Sequence, residues 1–150
     1  PRLRVLMFLM IAAGPAFAGP DLISVHLGSH HAGAKSDFEE VNPGVFLSWD
    51  RARGVTLSLG AFRNSYGRGS VAVTIAKSVF QRNTTSVAVF TGLAHYPGNG
   101  ADIRHAIGDV LPLAGLQLRH RQLFMNVMPG DGDTVDAIFS FGITLPLGVQ

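Results

Sequence analysis

Bulky and small side chains alternate through the middle of the chain, with Val71, Val73, Ile75 and Val79 set against Ser70, Ala72, Thr74, Ala76 and Ser78. The same alternation returns near the C-terminus, where Phe139, Phe141, Ile143, Leu145 and Leu147 are interleaved with Ser140, Gly142 and Thr144. A period of two belongs to a strand whose faces meet different surroundings. Read along the chain, it predicts strands near 21–31, 44–51, 55–65, 70–80, 84–96, 109–119, 121–128 and 134–147, and no helix between them. An even count lets an antiparallel meander close without an exposed edge, and several of these stretches approach the ~9 to 11 residues of a tilted transmembrane strand. The expected fold is all-β, an eight-stranded antiparallel up-and-down membrane β-barrel in one domain over residues 19–150.

The connections sort into two sets. Those at 51–54, 81–83 and 119–120 are short, whereas 32–43, 97–108 and 129–133 are mostly longer and richer in glycine or charge; 66–69 is short but belongs to the second set by order. Outer-membrane barrels have short periplasmic turns and longer outer loops, with aromatic girdles at both interfaces. Trp49, Phe80 and Tyr96 lie near strand ends and are candidates for such girdles. The competing arrangement turns the bulky face inward, as in a soluble lipocalin-like barrel. It would leave an outer surface of Ser, Thr, Ala and Gly with few charges, a poor surface for a soluble domain.

The first residues change the charge picture. Arg2 and Arg4 precede an apolar run from Val5 to Ala13 and then Ala16-Phe17-Ala18, the layout of a secretory signal cleaved after residue 18. The apolar run is about half the ~20 residues a membrane-spanning helix needs. The chain carries 12 Lys and Arg against 10 Asp and Glu, and removing Arg2 and Arg4 makes the two equal. A neutral exported chain lacks the single-sign field of a nucleic-acid binder. With no cysteine there is neither a disulfide framework nor a thiolate metal site. His26, His95, His105 and His120 lack metal-ligand spacing, so neither a metal nor another cofactor is expected. The expected location is a bacterial outer membrane, the partners its lipids, and the working unit a monomer.

Odd-numbered strands of a meander run the same way, so the ends of the first and third strands meet at the outer rim. His31 closes the first and Asn64-Ser65 the third. An imidazole titrates near neutrality and accepts a proton from a hydroxyl within hydrogen-bond reach. Ser65 offers that hydroxyl, and the Asn64 amide is a candidate donor to a developing oxyanion. Strict alternation from Ile23, Val25 and Leu27 would put His30 on the small-residue face in place of His31, unless a bulge re-aims the strand end. Ala72, Thr74 and Ala76 would line a narrow slot for an acyl chain, unless side chains from other strands fill the bore. Pro43 precedes the second strand and Pro112 lies inside the sixth, where a missing N–H interrupts the ladder and can open the wall to a lipid tail.

These residues resemble the lipid A palmitoyltransferases of the PagP type, eight-stranded outer-membrane acyltransferases. Val110-Leu111-Pro112-Leu113-Ala114 followed by Met128-Pro129-Gly130 is similar to the family's leucine-proline strand and later proline-glycine turn. Arg63-Asn64-Ser65-Tyr66 resembles its Asp-Ser motif, with Asn64 at the aspartate position, and Ser29-His30-His31 resembles the segment of its catalytic histidine. The resemblance implies His31 and Ser65 as catalytic, Ala76 near the floor of an acyl pocket and Pro112 at a lateral access site. The implied reaction moves an acyl chain from a phospholipid to a lipid A hydroxyl without a cofactor. A noncatalytic structural or lipid-binding barrel of the same fold, and a lipid hydrolase using the same residues with water as acceptor, are the alternatives.

Overall fold

A computed structural model of the chain describes residues 19–148; the signal-type segment at 1–18 lies outside the described residues. Eight strands follow one another: β1 (Leu22–Ala32), β2 (Gly44–Arg51), β3 (Val55–Arg63), β4 (Gly69–Arg82), β5 (Thr85–His95), β6 (Val110–His120), β7 (Leu123–Pro129) and β8 (Ala137–Pro146). Each pairs antiparallel with the next, and β8 returns to β1, closing the barrel. Closure gives every strand a neighbour on both sides, which removes the long open edges that would otherwise invite association.

The alternation divides the wall as the sequence pattern predicts. Leu59, Val71, Val73, Ile75, Leu93, Leu116 and Phe141 are exposed on the outside. The small and polar positions face the lumen, where Ser24 bonds Thr144 at 2.8 Å, Ser48 bonds Ser58 at 2.8 Å, and Gln117 donates to Asn126 at 2.9 Å. The apolar face therefore points outward, and the inward arrangement is excluded. Tyr96 departs from the girdle expectation. It follows β5 with its ring turned into the lumen, edge-on to Phe62 at 5.9 Å.

Strand ends move where a polar side chain captures the backbone. β3 stops at Arg63 because the Asn64 side chain folds the next residues into a turn. β8 begins at Ala137 because the Asp131 carboxylate accepts from the backbone N–H of Asp133, Thr134 and Val135 and from the Thr134 hydroxyl. Those bonds, the Thr134 hydroxyl first among them, hold the Asp131 carboxyl well below the usual carboxylate range. Asn83, at φ 53°, turns β4 into β5, a left-handed position that asparagine tolerates.

Two seams of the wall are incomplete. β5 and β6 pair along their whole length, from Thr85 with His120 to His95 with Val110, whereas β6 pairs with β7 only from Leu116 to His120. The outer half of β6, containing Pro112, has no ladder on that side. Likewise β1 pairs with β2 only from Leu22 to His26. Here the following loop closes the seam, since the Ser29 N–H donates to the Glu40 carbonyl at 2.8 Å.

Aromatic rings narrow the bore at mid-height. His26 lies between Phe46 and Phe124, with ring centroids 4.6 and 4.7 Å away, and Phe46 stacks on Phe62 at 5.9 Å. Gly60 makes room for this cluster, because a Cβ there would lie 2.3 Å from the Phe46 ring. With Phe46 wedged between neighbours, Gly60→Ala should cost about 1–3 kcal/mol of barrel stability by overpacking. A urea-unfolding midpoint in detergent micelles equal to that of the wild type would contradict this packing.

Candidate active site

The rim histidine is selected by one irregularity in β1. The register against β8 runs from His26 opposite Gly142 to Gly28 opposite Phe141, leaving Leu27 as an extra residue. One extra residue shifts the phase of a two-residue period. Ser29 and His31 consequently face the lumen, and His30 faces out. His31 is 5 % exposed, and its Nε2 lies 2.9 Å from the Ser65 Oγ. With the Ser65 hydroxyl donating, Nε2 is the acceptor and the ring proton resides on Nδ1.

Among the described residues a ring, and no hydrogen-bonded carboxylate, holds the imidazole. Phe38 stacks on His31 at 4.5 Å and 17°, and Tyr66 packs edge-on against Phe38 at 6.0 Å. His31 Nδ1 is buried without a hydrogen-bond partner, while Glu40 bonds the outward His30 Nδ1 at 3.0 Å. Stacked on its face, Phe38 fixes the plane of the imidazole whose Nε2 meets Ser65. The loop carrying Phe38 is tied across the rim. Glu39 N–H donates to the Ser65 carbonyl at 2.9 Å, and the Glu39 carboxylate pairs with Arg63 at 3.3 Å.

Ser65 sits on a turn that Asn64 builds. The Asn64 Oδ1 accepts from the N–H groups of Tyr66 and Arg68 at 2.9 and 3.0 Å, and its Nδ2 donates to Ser70 Oγ at 2.9 Å. Asn64 is 1 % exposed. Its oxygen and one of its two amide N–H groups thus build the scaffold of the turn that positions Ser65.

Below and beside the pair lie two spaces. A pocket of about 410 Å³ opens at the rim, bounded by His31, Ser65 and Phe38. It is lined both by inward Leu111 and Leu113 and by outward Pro112 and Ala114, so it passes through the wall at the incomplete β6–β7 seam. Its size falls among small-molecule sites, about 300–1,000 Å³. Deeper in the bore, a cavity of about 150 Å³ is lined by Ala72, Thr74 and Ala76 together with Phe46, Phe90 and Ser65. The proposed slot residues thus share one lumen with the nucleophile candidate. Pro43 stands apart from the gap at β6: its carbonyl accepts from Arg63 N–H at 2.9 Å and extends the β2–β3 ladder by one row.

Sequence reasoning missed Phe38 and Asn42. Phe38 lies in a loop without periodicity, and only the phenylalanine itself in a polar segment hinted at it. Asn42, beside Pro43, accepts a hydrogen bond from the Ser29 hydroxyl and lines the lumen cavity. Neither a scan against protein-family models nor a search of curated proteins finds a match to this chain.

If Asn64 acts through the turn, Asn64→Ala strands two backbone donors and should lower stability by about 1–3 kcal/mol. Asn64→Asp keeps both acceptances and can accept from Ser70, so it should cost less than the alanine variant. Equal unfolding midpoints for wild type and Asn64→Ala would overturn the scaffold role.

Proposed function

We propose that the protein is an outer-membrane acyltransferase that takes an acyl chain from a phospholipid and delivers it to a hydroxyl of lipid A. The observation that carries this reading is the 2.9 Å contact between His31 Nε2 and Ser65 Oγ at the mouth of a pocket that reaches the outer wall. A base touching a hydroxyl is the arrangement of an activated nucleophile. A pocket passing through a seam beside Pro112 gives a lipid tail a sideways route to that pair. The outward apolar face supports residence in a bilayer, since a contiguous apolar belt on a closed barrel matches a lipid-facing surface.

The chemistry balances without a cofactor. Ser65 gives its proton to His31 Nε2 as Oγ attacks the phospholipid ester carbonyl. The tetrahedral oxyanion collapses, the ester C–O bond breaks, and the lysophospholipid leaves with the proton from His31. A lipid A hydroxyl then attacks the Ser65 ester, its proton passing through His31 back to Ser65 Oγ. Water in place of the lipid A hydroxyl would give hydrolysis.

Two measurements test this reading. Leu59→Arg, an outward substitution at the middle of β3, should cost about 2–4 kcal/mol in lipid bilayers, and no loss there would contradict a lipid-facing wall. For activity, the full chain expressed in an outer membrane lacking its own lipid A acyltransferase should raise the mass of lipid A by one acyl chain. His31→Ala and Ser65→Ala should abolish the gain. Free fatty acid and lysophospholipid without that gain would make the protein a hydrolase, and unchanged lipids from a folded barrel would contradict catalysis.

A further inference from the structure

Acyl transfer requires a donor for the oxyanion of the tetrahedral intermediate, and the Asn64 amide spends its oxygen and one of its two N–H groups on its turn. We propose that Asn42 supplies this donor, an inference that rests on the acyl-transfer reading above.

The ladder places it. Gly44 pairs with Phe62, and the Arg63 N–H donates to the Pro43 carbonyl, so the next row outward sets Asn42 beside Asn64. Cross-strand neighbours in such a row lie about 4.5–5.5 Å apart. On the other side the Ser29 hydroxyl donates to Asn42 Oδ1, and Ser29 stands one inward position below His31 on β1. Asn42 therefore lies in the row of side chains immediately beneath the His31–Ser65 bond, and it lines the same lumen cavity as Ser65.

Its amide nitrogen is free to act. Asn42 is 8 % exposed, and its Nδ2 is buried without a hydrogen-bond partner among the described residues. A buried amide donor left unpaired carries a desolvation cost. Here the cost falls on a group whose oxygen is anchored by Ser29 and which lines the same cavity as Ser65. Preorganisation of this kind is effective because the donor need not reorient when the charge appears. The oxyanion forms as Ser65 Oγ bonds the ester carbon, accepts from Asn42 Nδ2–H, and returns to a carbonyl as the lysophospholipid departs. The Ser29 hydroxyl is a positioning group that anchors the amide oxygen and leaves Nδ2 as the unbonded end.

The test is steady-state release of lysophospholipid by the purified full chain in detergent micelles. Diacyl phosphatidylcholine is the donor and lipid A the acceptor; folding is verified by heat-modifiable gel mobility. Asn42→Ala should lower kcat by about 100- to 1,000-fold, the usual effect of removing one oxyanion donor, with KM little changed. Asn42→Asp retains the acceptor for Ser29 but lacks the N–H, so it should fall equally. Full activity in a folded Asn42→Ala, with Ser65→Ala inactive, would overturn the Asn42 role and leave the acyl-transfer reading standing. Recovery by Asn42→Asp would overturn it in favour of a packing role through Ser29. No lysophospholipid release by the folded wild type would overturn both.

Discussion

The single extra residue at Leu27 decides what this barrel presents at its rim. In a wall of strict period two, the inner half of β1 commits Ser24 and His26 to the lumen, and uninterrupted alternation would carry His30 inward and His31 outward. The bulge reverses the phase for the last turn of the strand, which sends Ser29 and His31 into the bore. Three contacts of the candidate site depend on that reversal: the bond to Ser65, the stacking of Phe38 and the anchoring of Asn42 by Ser29. The outward His30 takes the Glu40 carboxylate with it, leaving the inner imidazole supported by a ring face.

A second constraint is closure. A barrel gains by pairing every strand, yet this one leaves the outer half of β6 without a partner on the β7 side. Proline is tolerated where the ladder is already broken, and Pro112 occupies such a place. The seam and the His31–Ser65 pair are joined by one pocket, so the least-paired part of the wall is also the part nearest the candidate site. Lower in the bore the walls are complete and the lumen is stitched by hydroxyl and amide pairs. Rigidity at the base and an opening at the rim are thus written into different rows of the same strands.

The strands, their order and the division of faces were legible because alternation is a local property, visible in Val71 to Val79 and in Phe139 to Leu147 without any knowledge of contacts. The convergence of His31 and Ser65 was legible as topology, since both end odd-numbered strands. The choice between His30 and His31 was not, because a bulge is a tertiary compromise of register with β8 that leaves no mark in the residue pattern of β1. Asn64 was recognised as a site residue, but its commitment to Tyr66, Arg68 and Ser70 emerges only once the turn is folded. Tyr96 read as a girdle residue because proximity to a strand end does not reveal which way a ring points. Phe38 and Asn42 lie in a loop whose path across the rim is set by backbone bonds to Ser29 and Ser65; no periodicity could announce them.

In the proposed mechanism His31, and not its neighbour, activates Ser65. That role is tested most directly by the rate at which a phospholipid-like phosphonate ester, which phosphonylates activated serines, labels the folded barrel, with the modified residue located by peptide mass mapping. Ser65 should be labelled in the wild type and in His30→Ala at similar rates, and labelling should be lost in His31→Ala. Labelling of Ser65 that survives His31→Ala, or that vanishes in His30→Ala, would contradict that role.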